Sequence, residues 1–483
     1  MYQTILLVCA SSLMLTGCTS DPLAPRPTHT LNLTRSLTQS PADTRAPSRF
    51  RDAQDTTAHT PDAHEQTDEQ PDAQTVDQPD DFVRIALYRS PELERSYQQW
   101  VAMSQRVPQA GALPDPRLSV GFFANEVETR VGAQQAKIGI SQQLPWSGKL
   151  RASQSAAAAE ARAAWVRYTA IERSITRQVV TALYALHELD ATIDITHESL
   201  ELLSSFEDSV RSRFRVGNGS QSDLIRTQVE LGMLDDRLIS LRSSRSTLVA
   251  QLNALLDRPH DTPVAPITEL TPPPLDTPLD ALIEQTKSTN PILVSLSERV
   301  IAEQSRTKVA QYASKPELTV GVETSFTDDA NNPSIPESGD DPLLLTFSVN
   351  LPIWRDKYNA QVQESIANRL ALAYERESTQ NDLIARIVQS HFDYTDAQRR
   401  AKLYDQTLIP KATESIQSTL TYFRTGTDGF TDLLDAQRTL LEFQLNALQA
   451  RTAQGVALAQ LHELIGITNA TTQQQPTSPE IER

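Results

Sequence analysis

Residues 116–121 of this chain, Pro-Arg-Leu-Ser-Val-Gly, return at residues 316–321 as Pro-Glu-Leu-Thr-Val-Gly. Further pairs follow in the same order, and their spacing drifts from 200 residues at the hexapeptides to 209 near the end of each copy. A repeat this long exceeds the period of solenoid repeats, so we infer two copies of one structural unit. The copies span residues 82–258 and 280–467, and the Pro-rich residues 259–279 link them. The further pairs are Ser90–Leu93 with Asn290–Leu293, Leu144-Pro145 with Leu351-Pro352, Phe214–Gly217 with Phe423–Gly426, and Asp223-Leu224 with Asp432-Leu433.

Two stretches in each copy alternate apolar residues with small or polar ones. In the second copy the alternation covers residues 318–326 and residues 343–351. A period of two over about nine residues predicts β-strands, and strands of this length cross a bilayer when tilted. A half-buried soluble sheet is the alternative, because the signals of membrane strands are weak one at a time. The first copy alternates in the same way at Leu118, Val120 and Phe122 and again at Ile138, Ile140 and Leu144.

Each copy is predicted to open with one helix, and after its strands it continues into long helical segments. Residues 150–216 contain no Pro and no Gly, and at ~1.5 Å per residue a helix here would reach about 100 Å. Apolar residues recur at alternating steps of three and four, which predicts coiled-coil packing. A return helix follows a Gly turn, and in the second copy we predict helices over residues 358–420 and 433–465. Helices this long must pack beside neighbours, within the chain or across chains.

The N-terminus has the features of a lipoprotein signal peptide. The apolar run at residues 5–15 is too short to span a bilayer, and Leu-Thr-Gly-Cys ends at residue 18. This sequence resembles the bacterial lipobox, in which the cysteine is acylated and becomes the new N-terminus. We therefore predict a signal peptide over residues 1–17 and a lipidated Cys18 that anchors the chain to outer-membrane lipid. Residues 1–4 contain no Lys or Arg, so an uncleaved segment with a chance cysteine is the alternative.

Two terminal segments lack the apolar residues that a folded core requires. Residues 18–81 are rich in Thr, Pro, Asp and Gln, and residues 51–81 carry ten acidic side chains against one basic side chain. Such a segment cannot bury enough apolar surface to offset its ordering entropy. We predict a disordered, acidic, lipid-anchored linker over residues 18–81 and a disordered tail over residues 468–483.

Composition and motifs exclude several classes of function. The net charge of -17 opposes a nucleic-acid partner, because phosphate binding requires a basic surface. Both cysteines lie within the first 18 residues, so the rest of the chain has no disulfide and no thiolate ligand. The sequence has no Gly-rich phosphate loop, no G-x-S-x-G motif and no paired His at zinc spacing. We therefore expect no catalysis, no cofactor and no metal site.

The duplicated set of motifs resembles the outer-membrane efflux protein (TolC-like) family, in its lipoprotein branch, over about residues 82–467. The resemblance implies a mainly α fold with membrane β-strands. Three copies would form one twelve-stranded β-barrel continuous with a long periplasmic α-helical barrel. It also implies the outer-membrane channel of a tripartite efflux system in a Gram-negative bacterium. Such a channel is a passive exit duct for small molecules or metal ions, and its partners are a periplasmic adaptor protein and an inner-membrane pump of RND type.

The resemblance places function at the two helix turns. Gly217-Asn218-Gly219 and Gly426-Thr427-Asp428-Gly429 would be the periplasmic tips that contact the adaptor. Asp432 and Asp435 would ring the lumen at its narrowest point, where clustered carboxylates favour cations, and Asp223 would join the network that closes this constriction. The plainer interpretations are tight αα turns and, for Asp223 and Asp432, charges that stabilise a helix N-terminus.

The sequence departs from the family's closing network at two positions. Phe423 and Asp428 stand where the best-studied network has a Tyr and an Arg, so neither can form the same bonds. The latch of this chain must therefore differ. Tyr422, Arg424 and Arg215 are candidates to replace the missing groups.

Trp146 and Trp354 follow the Leu-Pro pairs that end the return strands. Interfacial aromatic belts form at this level of a membrane barrel, so we expect both side chains to lie at the membrane interface. Packing at a strand-to-helix junction is the alternative.

Two other classes of protein compete with the channel. A periplasmic adaptor would need lipoyl-like and other β-rich domains, for which the sequence has no segment. A coiled-coil structural lipoprotein would not need alternating strands at matched positions in both copies. The cargo stays open, because Pro114-Asp115-Pro116 and the Leu-Pro-Trp-Ser-Gly-Lys run resemble branches that include metal-efflux channels, while related channels export drugs.

Overall fold

A computed structural model describes residues 79–217, 219–267, 270–332, 334–425 and 429–466 of the chain. The predicted signal peptide 1–17, the lipidation site Cys18, nearly all of the linker 18–81 and the tail 468–483 lie outside these residues.

Both copies follow the predicted order of elements, with one addition: each opens with two helices instead of one. The first copy contains α1 (Pro79–Arg89), α2 (Pro91–Gly111), β1 (Arg117–Thr129), β2 (Gly132–Leu144), α3 (Ser147–Arg215) and α4 (Gln221–Leu255). The second copy contains α5 (Leu279–Thr289), α6 (Pro291–Ala313), β3 (Leu318–Thr327), β4 (Leu343–Val349), α7 (Arg355–Leu403), α8 (Ile409–Thr425) and α9 (Phe430–Ile465).

The repeated X-Pro motifs at residues 90–93 and 290–293 are helix starts. Ser90 Oγ accepts a hydrogen bond from the backbone N–H of Leu93 at 3.2 Å. Asn290 Oδ1 accepts from Ile292 and Leu293 at 2.9 and 3.3 Å. Ser and Asn are favoured N-caps, and Pro is tolerated at the first helical position because that N–H has no intrahelical partner.

The strands form one antiparallel sheet in the order β1-β2-β3-β4. Pairing of β2 with β3 joins the two copies, as Ile140 opposite Val322 illustrates. Within the described residues, β1 and β4 each pair on one side only. A two-residue turn connects β1 to β2, whereas a long loop at residues 328–342 connects β3 to β4.

The longest helix, α3, has 69 residues and confirms the predicted uninterrupted segment. It packs against α2 and α6 near the sheet and against α4 and α9 further away. A buried apolar cluster fills the space between α3, α4, α8 and α9, and a second one joins α5, α6, α7 and α9. No helix in the described ranges is long and apolar enough to cross a membrane.

The predicted single helix over residues 358–420 is wrong in one respect. A π-helical turn at Tyr404–Leu408 separates α7 from α8. Pro410 explains the interruption, because it has no N–H to donate and its ring would clash with the carbonyl one turn earlier in a regular α-helix. Within this turn, Asp405 forms an ion pair with Arg451 of α9 at 2.7 Å.

Candidate functional site

The sheet has one apolar face and one mainly polar face. Leu118, Ile140, Val322 and Leu345 stand opposite one another in a single row across all four strands. All four side chains are exposed in the single chain. On the other face, polar and small residues predominate, with an ion pair of 3.3 Å between Lys137 and Glu323. Exposed apolar side chains on one face and polar ones on the other are typical of strands in a membrane barrel.

The two Trp residues occupy equivalent places but differ in their contacts. Each is the residue immediately before a long helix, Trp146 before α3 and Trp354 before α7. Trp146 donates a hydrogen bond from Nε1 to the carbonyl oxygen of Pro316 at 2.7 Å. Trp354 is 71% exposed, compared with 47% for Trp146. The interfacial position of both side chains stays a prediction.

The α3–α4 turn has the conformation that its glycines suggested. Gly217 has a φ of 77°, the left-handed region that favours glycine. Gly219 packs closely, because an added Cβ would lie 2.8 Å from the backbone nitrogen of Phe214. The α8–α9 turn differs, since Gly429 is the N-cap of α9 with an ordinary φ of -74°. Asn218, Gly426, Thr427 and Asp428 lie outside the described residues.

The three predicted constriction carboxylates lie in the first turns after the helix reversals. Asp223 and Asp432 both lie in the first turn of their helices, α4 and α9. A negative charge there stabilises the helix N-terminus, which agrees with the plainer interpretation, and the constriction role of both residues stays a prediction. Asp435 lies deeper in α9 and is 65% exposed, with Arg438 at 3.7 Å. In the described part of the chain no group of His, Cys, Asp and Glu side chains could hold a metal ion.

An ion pair that sequence reasoning missed ties α4 to α9 near the tip. Arg438 binds Glu230 through two bonds, Nε to Oε1 at 3.1 Å and Nη2 to Oε2 at 2.5 Å. The Glu230 side chain is only 11% exposed, and its hydrogen bond raises the pKa of Arg438. A second bridge joins Arg226 to Thr431 at 3.2 Å. A carboxylate among the apolar residues of α4 was the available signal, but nothing local pointed to a partner on α9.

Phe423, which replaces the family's Tyr, is buried in the apolar cluster at the tip. Its ring contacts Phe430 edge to face, with centroids 6.0 Å apart. The Arg213 guanidinium lies 4.5 Å from the Phe423 ring and donates to the Phe423 carbonyl oxygen. The candidates Tyr422, Arg424 and Arg215 are exposed. Arg213 therefore contributes a contact between α3 and α8 that the sequence did not suggest.

A sheet with an exposed apolar face that continues into long helices is typical of channel-forming outer-membrane proteins, and this is the class of the chain. The family model described as outer membrane efflux protein matches residues 82–258 and 282–467, and the chain belongs to this family. It is therefore an outer-membrane efflux channel of a Gram-negative bacterium that extends into the periplasm, as predicted. The adaptor and coiled-coil scaffold alternatives do not fit this membership.

Curated relatives and solved structures resemble the chain over most of its length. Outer membrane protein TolC of Vibrio cholerae is 22% identical over 365 residues, which cover 73% of this chain and 82% of the relative. Cobalt-zinc-cadmium resistance protein CzcC of Cupriavidus metallidurans is 20% identical over 360 residues, with coverages of 71% and 78%. The crystal structure of VceC from Vibrio cholerae superposes with a TM-score of 0.67 at 17% identity, over 80% of this chain and 96% of that chain.

Proposed function

We propose that three copies of this chain close one tube through which an efflux system discharges its cargo. The observation that carries the proposal is the sheet, in which β1 and β4 each lack a neighbour on one side within the described residues. Lipid cannot satisfy the backbone N–H and C=O groups of a free sheet edge. If β4 of each copy pairs with β1 of the next, three copies give twelve strands and no free edge.

Exposed helix surfaces support the same assembly. On α4, the side chains of Ile225, Val229 and Met233 follow one another at steps of four and are all more than half exposed. On α7, Tyr374 and Phe392 are exposed as well. An apolar stripe along a helix needs a covering surface, and an adjacent copy of the chain supplies one.

The tips would carry the contacts to the partners. The turns at residues 217–219 and 426–429 would meet the helical hairpins of a periplasmic adaptor, which connects the channel to an inner-membrane pump of RND type. Asp432, Asp435 and Asp223 would form the constriction of the lumen, and a three-fold ring of carboxylates there would bind polyvalent cations.

Several finer features complete the proposal. Acylation of Cys18 would hold the chain in the outer membrane, and Trp146 and Trp354 would lie at the membrane interface. The duct would be passive and catalyse no reaction. Its cargo would be small molecules or metal ions, and the relative named for cobalt, zinc and cadmium resistance favours a trial of metal ions first.

Conductance in planar bilayers tests this function. We expect the purified full-length protein to insert and give discrete, cation-selective current steps, with a native mass in detergent of three chains. Heat-denatured protein is the control and should give neither the current steps nor the native mass of three chains. A protein that elutes as a monomer without detergent and gives no current would refute the proposal.

A further inference from the structure

The β2–α3 junction of the first copy binds the segment before β3 of the second copy through hydrogen bonds and an ion pair. Trp146 donates to the Pro316 carbonyl, as described above. Lys149 forms an ion pair with Glu317 at 2.5 Å, and Gln143 donates to the same carboxylate at 2.7 Å. The Glu317 side chain is mostly buried by these contacts. These contacts form a seam that, together with the β2–β3 pairing, joins the two copies within one chain.

The seam also depends on matched side-chain sizes. An added Cβ at Gly148 would lie 2.3 Å from the hydroxyl oxygen of Tyr312, so the glycine leaves space for the Tyr312 ring. Lys315 Nζ lies 4.5 Å from the centre of the Tyr312 ring and 5.6 Å from that of Trp146. The junction therefore accepts this particular segment by shape as well as by charge.

The second copy has an equivalent junction, whose residues 353–357 are all exposed in the single chain. Trp354 precedes α7 as Trp146 precedes α3, and a lysine, Lys357 or Lys149, is the third residue of each helix. An open cavity of about 590 Å³ is lined by residues 353–357. The segment equivalent to residues 312–317 is residues 112–117, which the 200-residue repeat aligns with it and which is exposed throughout.

We propose that the β4–α7 junction of one copy binds residues 112–117 of a second copy. Trp354 Nε1 then donates to the Pro116 carbonyl oxygen, as Trp146 does to Pro316. This inference rests on the proposed trimer and names the contact that would join β4 to β1 between subunits. The Pro114-Asp115-Pro116 motif of the sequence thereby acquires a role in assembly.

The proposed contact between copies differs from the seam in both charge and side-chain size, and the differences compensate one another. Arg117 stands at the position that Glu317 occupies in the seam, so Lys357 cannot form an ion pair equivalent to that of Lys149 with Glu317. Asp356 replaces Gly148 and supplies the negative charge for Arg117. The smaller Ala112 replaces Tyr312 and leaves room for the Asp356 side chain.

These differences in charge and size also determine which junction binds which segment. A junction of the first kind would place Lys149 opposite Arg117 with no acidic residue at the position of Asp356, and would leave a gap between Gly148 and Ala112. Like charges and unfilled space both disfavour that contact. Each junction therefore accepts one segment, and the copies associate head to tail, the arrangement that closes into a ring.

Thiol cross-linking tests the contact directly. Ala112→Cys with Asp356→Cys should give covalent dimers and trimers with a short bismaleimide, which spans thiols too far apart for a disulfide. The matched control, Gly148→Cys with Tyr312→Cys, joins residues of one chain and should leave the gel mobility at that of a single chain. The two single variants of the seam pair, Ala112→Cys and Asp356→Cys, correct for reaction at Cys9 and Cys18.

The outcomes separate this proposal from the proposed function. If the wild-type protein has the mass of a trimer but the seam pair gives only single chains, while mass spectrometry shows the linker attached to both cysteines of the control, the contact is wrong and the trimer stands. If the wild-type protein is monomeric in detergent, the proposed function fails and the contact with it.

Charge reversal provides a second test that does not depend on cross-linking. Arg117→Asp places two acids together and should lower the temperature at which trimers dissociate on a gel. Adding Asp356→Arg should restore that temperature, because the pair is reversed and not removed. A double variant no more stable than Arg117→Asp alone would overturn the assignment.

Discussion

Asp432 and Asp435 are the residues on which the proposed constriction depends. Changing both to Ala should abolish the block of single-channel current by polyvalent cations, because the ring of carboxylates that binds the cations is gone. Asp235→Ala with Asp236→Ala is the matched control, since it removes the same charge from exposed sites further along α4. Current block that persists in the first variant would show that the constriction lies elsewhere.

Substitution of Glu230 tests whether its ion pair with Arg438 holds α4 against α9 at the tip. Glu230→Gln removes the charge that Arg438 binds, and we expect a higher conductance because the two helices lose their bridge. The stability lost should be modest, about 1 kcal/mol, since Arg438 is half exposed. Glu414→Gln breaks the exposed pair with Lys411 and should leave the conductance unchanged. Equal single-channel records for both variants and the wild type would contradict this role.

At the residue scale, sequence reasoning located the helix reversals because their signal was local and repeated, whereas the constriction role of the carboxylates stays a prediction. Asp223 and Asp432 recur at matched positions of both copies, and the left-handed Gly217 follows from a helix reversal. The bond between Glu230 and Arg438 joins residues 208 positions apart in the chain. No periodicity connects such residues, so only the folded arrangement reveals their contact.

At the scale of elements, apolar residues at every second position were sufficient to predict the strands. Apolar residues at alternating steps of three and four were sufficient to predict the long helices. The strand predictions rest on alternation that the sheet register confirms, except that β4 ends at Val349, two residues before the predicted end. The π-helical turn before Pro410 was missed because apolar spacing continues through it. The second short helix of each copy was missed because Pro91 and Pro291 interrupt the chain without ending the helical pattern.

A close approach of two long helices, α3 and α9, gives a stability test. Gly455 of α9 lies against the buried ring of Tyr184 on α3, and burial raises the pKa of Tyr184 to about 12, so the phenol stays neutral. An added Cβ at Gly455 would be 2.1 Å from Tyr184 Cζ. Gly455→Ala should therefore lower the free energy of unfolding by about 1–3 kcal/mol, as overpacking does. Denaturant titration in detergent measures it.

A double-mutant cycle identifies the cause of that loss. In a Tyr184→Ala background the clash is absent, so the same Gly455→Ala change should cost much less. If Gly455→Ala destabilises both backgrounds equally, the close approach of α3 to α9 is not responsible.

At the scale of the whole molecule, duplication explains why one chain is incomplete. Two copies pair through β2 and β3, which leaves β1 and β4 as outer edges of the described sheet. The same duplication leaves exposed apolar side chains along α4 and α7. Sequence reasoning anticipated the duplication, but the closure of the sheet into a barrel by three copies came from the family resemblance.

Cryo-electron microscopy of the full-length protein in lipid nanodiscs tests the central claim most directly. We predict three-fold symmetry, with β4 of each copy hydrogen-bonded to β1 of the next and one continuous lumen through both barrels. A map in which a single chain seals β1 against its own β4, or leaves both strands unpaired in lipid, would contradict the account.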